Sequence, residues 1–174
     1  LNILGFLDLP DKGKMFLEGQ DTSKLSFSDL ADIRGKRIGF VFQQFNLIQH
    51  LSALENITMP MIFQEVKEAD ATKKAKELLA LVNLQGKENS KPGQLSGGEQ
   101  QRVAIARSLA NDPEIILADE PTGNLDSRNG QMIMELLANL NKKEGKTVIV
   151  ITHDSNIAAY CDKTIIIRDG KIVN

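Results

Sequence analysis

Residues 115–121 read Ile-Ile-Leu-Ala-Asp-Glu-Pro, four apolar residues running directly into two carboxylates and a proline. A short apolar run of this kind reads as a buried strand. Residues 130–143 then show the amphipathic spacing of a helix, and residues 146–152 form another strand-like run. From Pro113 onward the order is therefore strand, helix, strand, the alternation of an α/β domain built on a parallel sheet. Ligand sites in such sheets lie at the carboxyl ends of the strands, where Asp119 and Glu120 stand. Neighbouring positions of a strand face opposite sides, so the two acids should do different work. Asp119 can hold Mg²⁺ through water as a hard oxygen ligand, and Glu120 can orient an attacking water or take its proton. Pro121 biases Glu120 towards extended geometry. By themselves the two residues also fit a pair of solvated acids ending a strand.

The remaining chain divides around that core. Residues 1–7 read as the tail of a helix, 14–18 as a short strand after a turn at 11–13, and 36–43 as a second buried strand. Ser52-Ala53-Leu54-Glu55 has the form of a capping box and opens a helix that Pro60 would interrupt. Ala71, Ala75, Leu78, Leu79 and Val82 recur at helical spacing, ending near Asn83. Residues 87–94 form a polar loop, 96–111 return to helix, and Asp112-Pro113 stops it. Near the end, Asp169-Gly170 is a two-residue hairpin turn between 163–168 and 171–173. The expected organisation is one domain, with an α/β core at 1–45 and 112–174 and a helical subdomain at 46–111.

Composition narrows the function classes. The formal net charge is -2 over 174 residues, which gives no basic field for coating nucleic acid. A single cysteine, Cys161, excludes an internal disulfide and is expected to be buried or half-buried. No run approaches the roughly 18 apolar residues of a membrane span, and no signal peptide is visible. The chain opens without methionine, inside an apolar segment, which suggests a fragment.

A second motif changes the weight of the first. Leu95-Ser96-Gly97-Gly98-Glu99-Gln100-Gln101-Arg102 places two glycines inside a capping box formed by Ser96 and Glu99. Free backbone N–H groups, a serine hydroxyl and the positive end of a helix make an anion site. Glycine lets a phosphate approach the backbone closely. A plain helix cap would account for Ser96 and Glu99, but paired glycines cost helix stability without a structural return.

These residues resemble the signature of the ABC ATPases, followed by a Walker B strand ending in Asp119-Glu120. Gln43 resembles the Q-loop glutamine, Asn124-Leu125-Asp126 the D-loop and His153 the switch histidine, in the family's order. The resemblance implies a P-loop NTPase (RecA-like) α/β core with an inserted helical subdomain, an ATPase acting on ATP with Mg²⁺. Glu120, His153 and Gln43 would be catalytic, with Gln43 also near the metal held by Asp119. Ser96, Gly97, Gly98, Glu99 and Asp126 would serve ATP across a head-to-tail dimer, so a second ATPase subunit is implied, most simply a second copy. A finer resemblance, carried by residues 1–8, 40–48 and 118–126, is to subunits of lipoprotein-releasing, macrolide-export and antimicrobial-peptide-resistance transporters. That places the subunit on the cytoplasmic membrane face of a bacterium or archaeon. Its partners would be transmembrane permease subunits, contacted by the helical segment after Gln43.

One feature of the family is missing. No G-x-x-x-x-G-K-[ST] sequence occurs in the 174 residues, so the lysine and amides that grip the β- and γ-phosphates are lacking, as are the first strands of the core sheet and the aromatic that stacks on adenine. The expectation is an N-terminally truncated ATPase that alone neither binds ATP tightly nor hydrolyses it. Two alternatives remain: a non-transport ABC ATPase of cell division or DNA maintenance, and an inert or regulatory remnant. The compact helical insertion and lone cysteine disfavour the DNA-repair machines, which carry long coiled coils or zinc modules.

Overall fold

In a computed structural model describing residues 1–173, a parallel sheet forms around the run that begins at Ile115. The hairpin β1 (Phe16–Leu17) and β2 (Gln20–Asp21) precedes helix α1 (Phe27–Arg37) and strand β3 (Ile38–Val41). Three helices follow: α2 (Ala53–Ile62), α3 (Glu68–Leu81) and α4 (Gly97–Ser108). The chain then returns as β4 (Ile115–Asp119), α5 (Ser127–Glu144), β5 (Thr147–Ile151), the short α6 (Ser155–Ala158) and the hairpin β6 (Ile166–Arg168) and β7 (Lys171–Val173). The sheet order is β3-β4-β5, all parallel, with Ile116 opposite both Gly39 and Val148.

The two faces of β4 feed separate cores, as the twofold period of a strand demands. Ile116 and Ala118 join a large cluster with Val41, Ile57, Leu79, Ile105, Ile133 and Leu137. Leu117 faces the other way, onto Phe6, Leu30 and Ile38. Both isoleucine 116 and leucine 117 are shut from solvent, each contributing about 1.5–3 kcal/mol by burial. Gly39 is required by this packing: a Cβ there would stand 2.4 Å from the Ser108 carbonyl oxygen, so only glycine lets α4 lie against β3.

Helix starts follow local chemistry closely. Ser52 with Glu55, Ser96 with Glu99 and Ser26 with Asp29 all form two-way capping boxes. The third, opening α1, was not anticipated, since residues 27–37 carry little apolar periodicity. Only Leu30 of that helix is buried. Its last turn takes Lys36 and Arg37 from the strand expected at 36–43. Residues 1–7 form hydrogen-bonded turns (Gly5 N–H to Leu1 O, 2.9 Å; Leu7 N–H to Asn2 O, 2.9 Å) rather than a helix tail. Pro60 does not interrupt α2, which continues to Ile62. It lies in the last turn, where its missing N–H costs one bond, and its carbonyl accepts from Asn111 Nδ2 at 3.1 Å. Asp169 and Gly170 both have positive φ (49° and 74°), as the tight hairpin turn requires. Cys161 is half-buried, and burial pushes its thiol pKa up.

Gly39→Ala should lower stability by about 1–3 kcal/mol or more, because the colliding atom is backbone and cannot swing aside. Denaturant titration followed by far-UV circular dichroism checks this, and a variant as stable as the parent would contradict the packing described.

Candidate functional site

Three chain segments leave the same edge of the sheet: Phe42-Gln43 after β3, Glu120-Pro121 after β4, and Thr152-His153 after β5. Glu120 is the best anchored of their side chains. Its Oε1 accepts from the His153 backbone N–H at 2.9 Å and lies 2.7 Å from His153 Nδ1, while Oε2 accepts from the Thr152 hydroxyl at 3.1 Å. Thr152 Oγ1 in turn accepts from the Asp154 N–H at 3.1 Å. The Glu120 side chain is 20% exposed and that of His153 is 88% exposed, so the carboxylate is held from below while the imidazole stands open to ligand.

The backbone at Glu120 departs from the extended form that Pro121 favours. Its φ is +42°, in the left-handed region. Its N–H donates to Ile151 O at 2.9 Å, and its carbonyl accepts from Gly123 N–H at 3.0 Å, closing a turn. Those bonds, with the carboxylate clamp, outweigh the local preference. Backbone strain of this kind is held only where the surroundings over-determine it.

Asp119, the last residue of β4, pairs with Ile151 in register. No group of three or more His, Cys, Asp or Glu residues able to hold a metal occurs among the described residues. An Asp119 carboxylate with a Gln43 amide oxygen would supply only two hard oxygen ligands. Such a sparse set suits Mg²⁺, which keeps several waters and draws other ligands from substrate phosphates.

Gln43 is exposed in the turn after β3. Its carbonyl accepts from Asn124 Nδ2 at 2.9 Å, and its amide packs over Gly123, where a Cβ would stand 2.6 Å from Nε2. The next turn carries two left-handed residues, Phe45 and Asn46 (φ 60° and 50°). Arg107 of α4 secures them, donating to Phe45 O at 2.8 Å and also to Asn46 O. Burial lowers the Arg107 pKa, and its guanidinium has no carboxylate partner among the described residues. Beside it runs a largely apolar cleft of about 400 Å³, lined by Phe42, Met59, Phe63 and Arg34 among others. This cleft lies away from the Glu120 carboxylate.

The signature segment forms a separate cluster. Ser96 caps α4, its hydroxyl accepting from Glu99 N–H at 3.3 Å while Glu99 Oε2 accepts from Ser96 N–H at 2.8 Å. That backbone bond, and to a smaller extent the serine hydroxyl and Lys87, hold the Glu99 pKa below the usual carboxylate range. Ser96 is exposed and Gly98 is buried against Asn129, whose Oδ1 lies 2.5 Å from where a Cβ would stand. Asp126 caps α5 and spends both oxygens on Asn129, accepting from its N–H at 3.0 Å and its Nδ2 at 2.6 Å. These bonds lower the Asp126 pKa, the backbone bond most. The structure thus unites Glu120 with His153, Gln43 with Gly123-Asn124, and Gly98 with Asn129-Asp126. Among the described residues no hydrogen bond joins Ser96–Glu99 directly to Glu120 or His153. The sequence by itself assigns no individual role to Thr152, Asn124 or Gln101; the signals available were the position of Thr152 beside His153 and the membership of Asn124 and Gln101 in the motifs.

Comparison with known proteins shows the family. The family model described as ABC transporter matches residues 1–123. An uncharacterized ABC transporter ATP-binding protein of Methanocaldococcus jannaschii is 51% identical over 176 residues, covering 99% of this chain and 75% of that protein. The macrolide export ATP-binding/permease protein MacB of Mannheimia succiniciproducens is 46% identical over 174 residues, covering 100% of this chain and 27% of its own length. Among solved structures, the dimeric post-hydrolysis state of the ATP-binding cassette MJ0796, bound to ADP and Pi, superposes with a TM-score of 0.89 at 48% identity. That match covers 99% of this chain and 76% of the other. The fold is that of a P-loop NTPase, a class of nucleotide-binding α/β domains. The chain belongs to the ABC transporter family, in its ATP-binding domain.

The depressed pKa of Glu99 makes the start of α4 acid-sensitive. A folded pKa below the unfolded one contributes stability that is present above the unfolded value and lost as pH falls through the folded value. Replacing Glu99 by Gln should therefore shrink the loss of stability between about pH 5 and pH 3, measured as the pH dependence of the denaturant midpoint. An unchanged acid limb would deny Glu99 this part.

Proposed function

We propose that this chain is the water-activating and partner-facing part of an ATPase that drives an export-type ABC transporter. The observation that carries the reading is the Glu120 carboxylate, fixed by Thr152 and His153 at the strand edge where α/β domains bind ligands. Oε1 is engaged twice by His153, through the backbone N–H and by Nδ1, whereas Oε2 has one partner, the Thr152 hydroxyl. Oε2 is thus the oxygen left to orient the attacking water and accept its proton. His153, open to solvent, serves as the γ-phosphate contact, and Gln43 reports on the same phosphate from the neighbouring strand end. Asp119 would hold Mg²⁺ through water, with Gln43 beside it, and the ion would supply charge neutralisation at the nucleotide phosphates.

Ser96, Gly97, Gly98 and Glu99 face the nucleotide of a second copy, with the N-terminus of α4 aimed at phosphate. Asp126 acts at the same interface. The dimeric state of the MJ0796 cassette bound to ADP and Pi supports this, as does the exposure of Ser96 in a single chain. Residues 46–111 form a helical subdomain that contacts a permease on the cytoplasmic face of the membrane. Fusion of ATP-binding and permease parts in MacB supports such a partnership. No helix among the described residues is long and apolar enough to cross a membrane. Because the 174 residues contain no phosphate loop, this chain alone neither binds ATP tightly nor hydrolyses it.

Calorimetric titration of the chain with Mg-ATP should give no saturating signal, and steady ATPase activity from a pure preparation would overturn that statement. With a G-x-x-x-x-G-K-[ST] segment fused upstream, turnover should appear, and Glu120→Gln should reduce it about 100-fold or more while leaving dimerisation intact. Unchanged turnover in that variant would remove Glu120 from catalysis.

A further inference from the structure

Gln101 sits on α4, about one turn beyond the glycines, and is wholly buried. Its Nε2 donates to the Pro121 carbonyl oxygen at 2.7 Å, whereas its Oε1 meets no hydrogen-bond partner among the described residues. The amide orientation follows from chemistry, because a carbonyl oxygen only accepts and must face the nitrogen. A buried amide with one end unmet costs stability that an apolar side chain of similar volume would avoid. Core packing alone therefore gives no reason for glutamine here.

What the amide holds is the peptide after Pro121, within the turn that Glu120 opens. The Glu120 turn is gripped from one side by β5, through Ile151 O to its backbone and through Thr152 and His153 to its carboxylate. From the α4 side, Gln101 supplies a hydrogen bond to the same turn. Helix α4 transmits motion well: Val103, Ala104, Ile105 and Ala106 are all fully buried, so Gln101 moves with the helix and not by itself. The N-terminus of that helix carries Ser96 and Gly98. We infer that Gln101 is a positioning residue that ties the orientation of Glu120 to the placement of α4, so that phosphate or a second copy seated on Ser96–Gly98 is felt at Glu120. This rests on the water-activating role proposed for Glu120.

Two readouts separate the link from that role. The chain has two histidines, His50 and His153, and His153 Nδ1 touches Glu120, so its ring resonance reports the carboxylate without any turnover. In Gln101→Met, which keeps the volume and removes the donor, the His153 ring signal should shift while that of His50 stays, with unchanged far-UV circular dichroism. A stationary His153 signal in the folded variant overturns the proposal. Should Gln101→Met lose its fold, Gln101→Leu is read in the same way. In the P-loop-bearing form, Gln101→Met should lower kcat about tenfold to a hundredfold with KM for ATP unchanged. The same substitution in a Glu120→Gln background should cost nothing further, and a full additional loss there would also overturn the link. If Glu120→Gln leaves turnover intact, the catalytic reading falls, and the His153 signal still decides whether Gln101 positions Glu120.

Discussion

Strand β4 is hydrogen-bonded along both edges and covered on both faces, and the rest of the molecule answers to that constraint. Two parallel neighbours cannot be reached by tight turns, so the chain must cross over outside the sheet each time. Helix α5 makes one crossover, and the long excursion through α2, α3 and α4 makes the other. Both crossovers lay apolar faces on the side where Ile116 and Ala118 point. The opposite face is closed by Phe6, Leu30 and Ile38. Since all three strands run the same way, their carboxyl ends share one edge. This is why Gln43, Glu120 and His153, far apart in sequence, leave the sheet together.

At that edge the working geometry is set by satisfied hydrogen bonds and by little net charge. Glu120 holds a left-handed backbone because its amide, carbonyl and both carboxylate oxygens all have partners. The surrounding loops are braced likewise: Arg107 secures the Phe45–Asn46 turn, and Asn124 fastens to the Gln43 carbonyl. The exposed parts are the imidazole of His153 and the Gln43 turn at this edge, and the Ser96 hydroxyl in its separate cluster. A fixed carboxylate beneath exposed contacts suits the proposed role, in which water is aimed before charge develops.

Legibility in the sequence varied with the range of the interaction. Capping boxes at Ser52–Glu55 and Ser96–Glu99 were readable because their partners are three residues apart. The strand ends at Asp119 and His153 were readable because apolar runs stop there abruptly. Helix α1 is not legible in the sequence because it buries one leucine, and its tertiary bonds run from Arg34 and Arg37 to distant segments. Pro60 pointed to a break, yet a proline in the last turn of a helix removes only one bond and leaves α2 whole. At Glu120 the pre-proline preference gave the wrong conformation, since the deciding bonds come from β5, some thirty residues on.

By itself the sequence determined the family, the parallel α/β core, the helical excursion and most of the residues that leave the carboxyl edge of the sheet. These depend on periodicity, caps and motif order, which are local properties of the chain. Only the tertiary structure decided the left-handed turn at Glu120, its clamp by Thr152, the close fit of Gly39 to α4 and the reach of Gln101 to Pro121. Each of these joins segments brought together by packing the whole core, and no local pattern records which buried donor will meet which distant carbonyl.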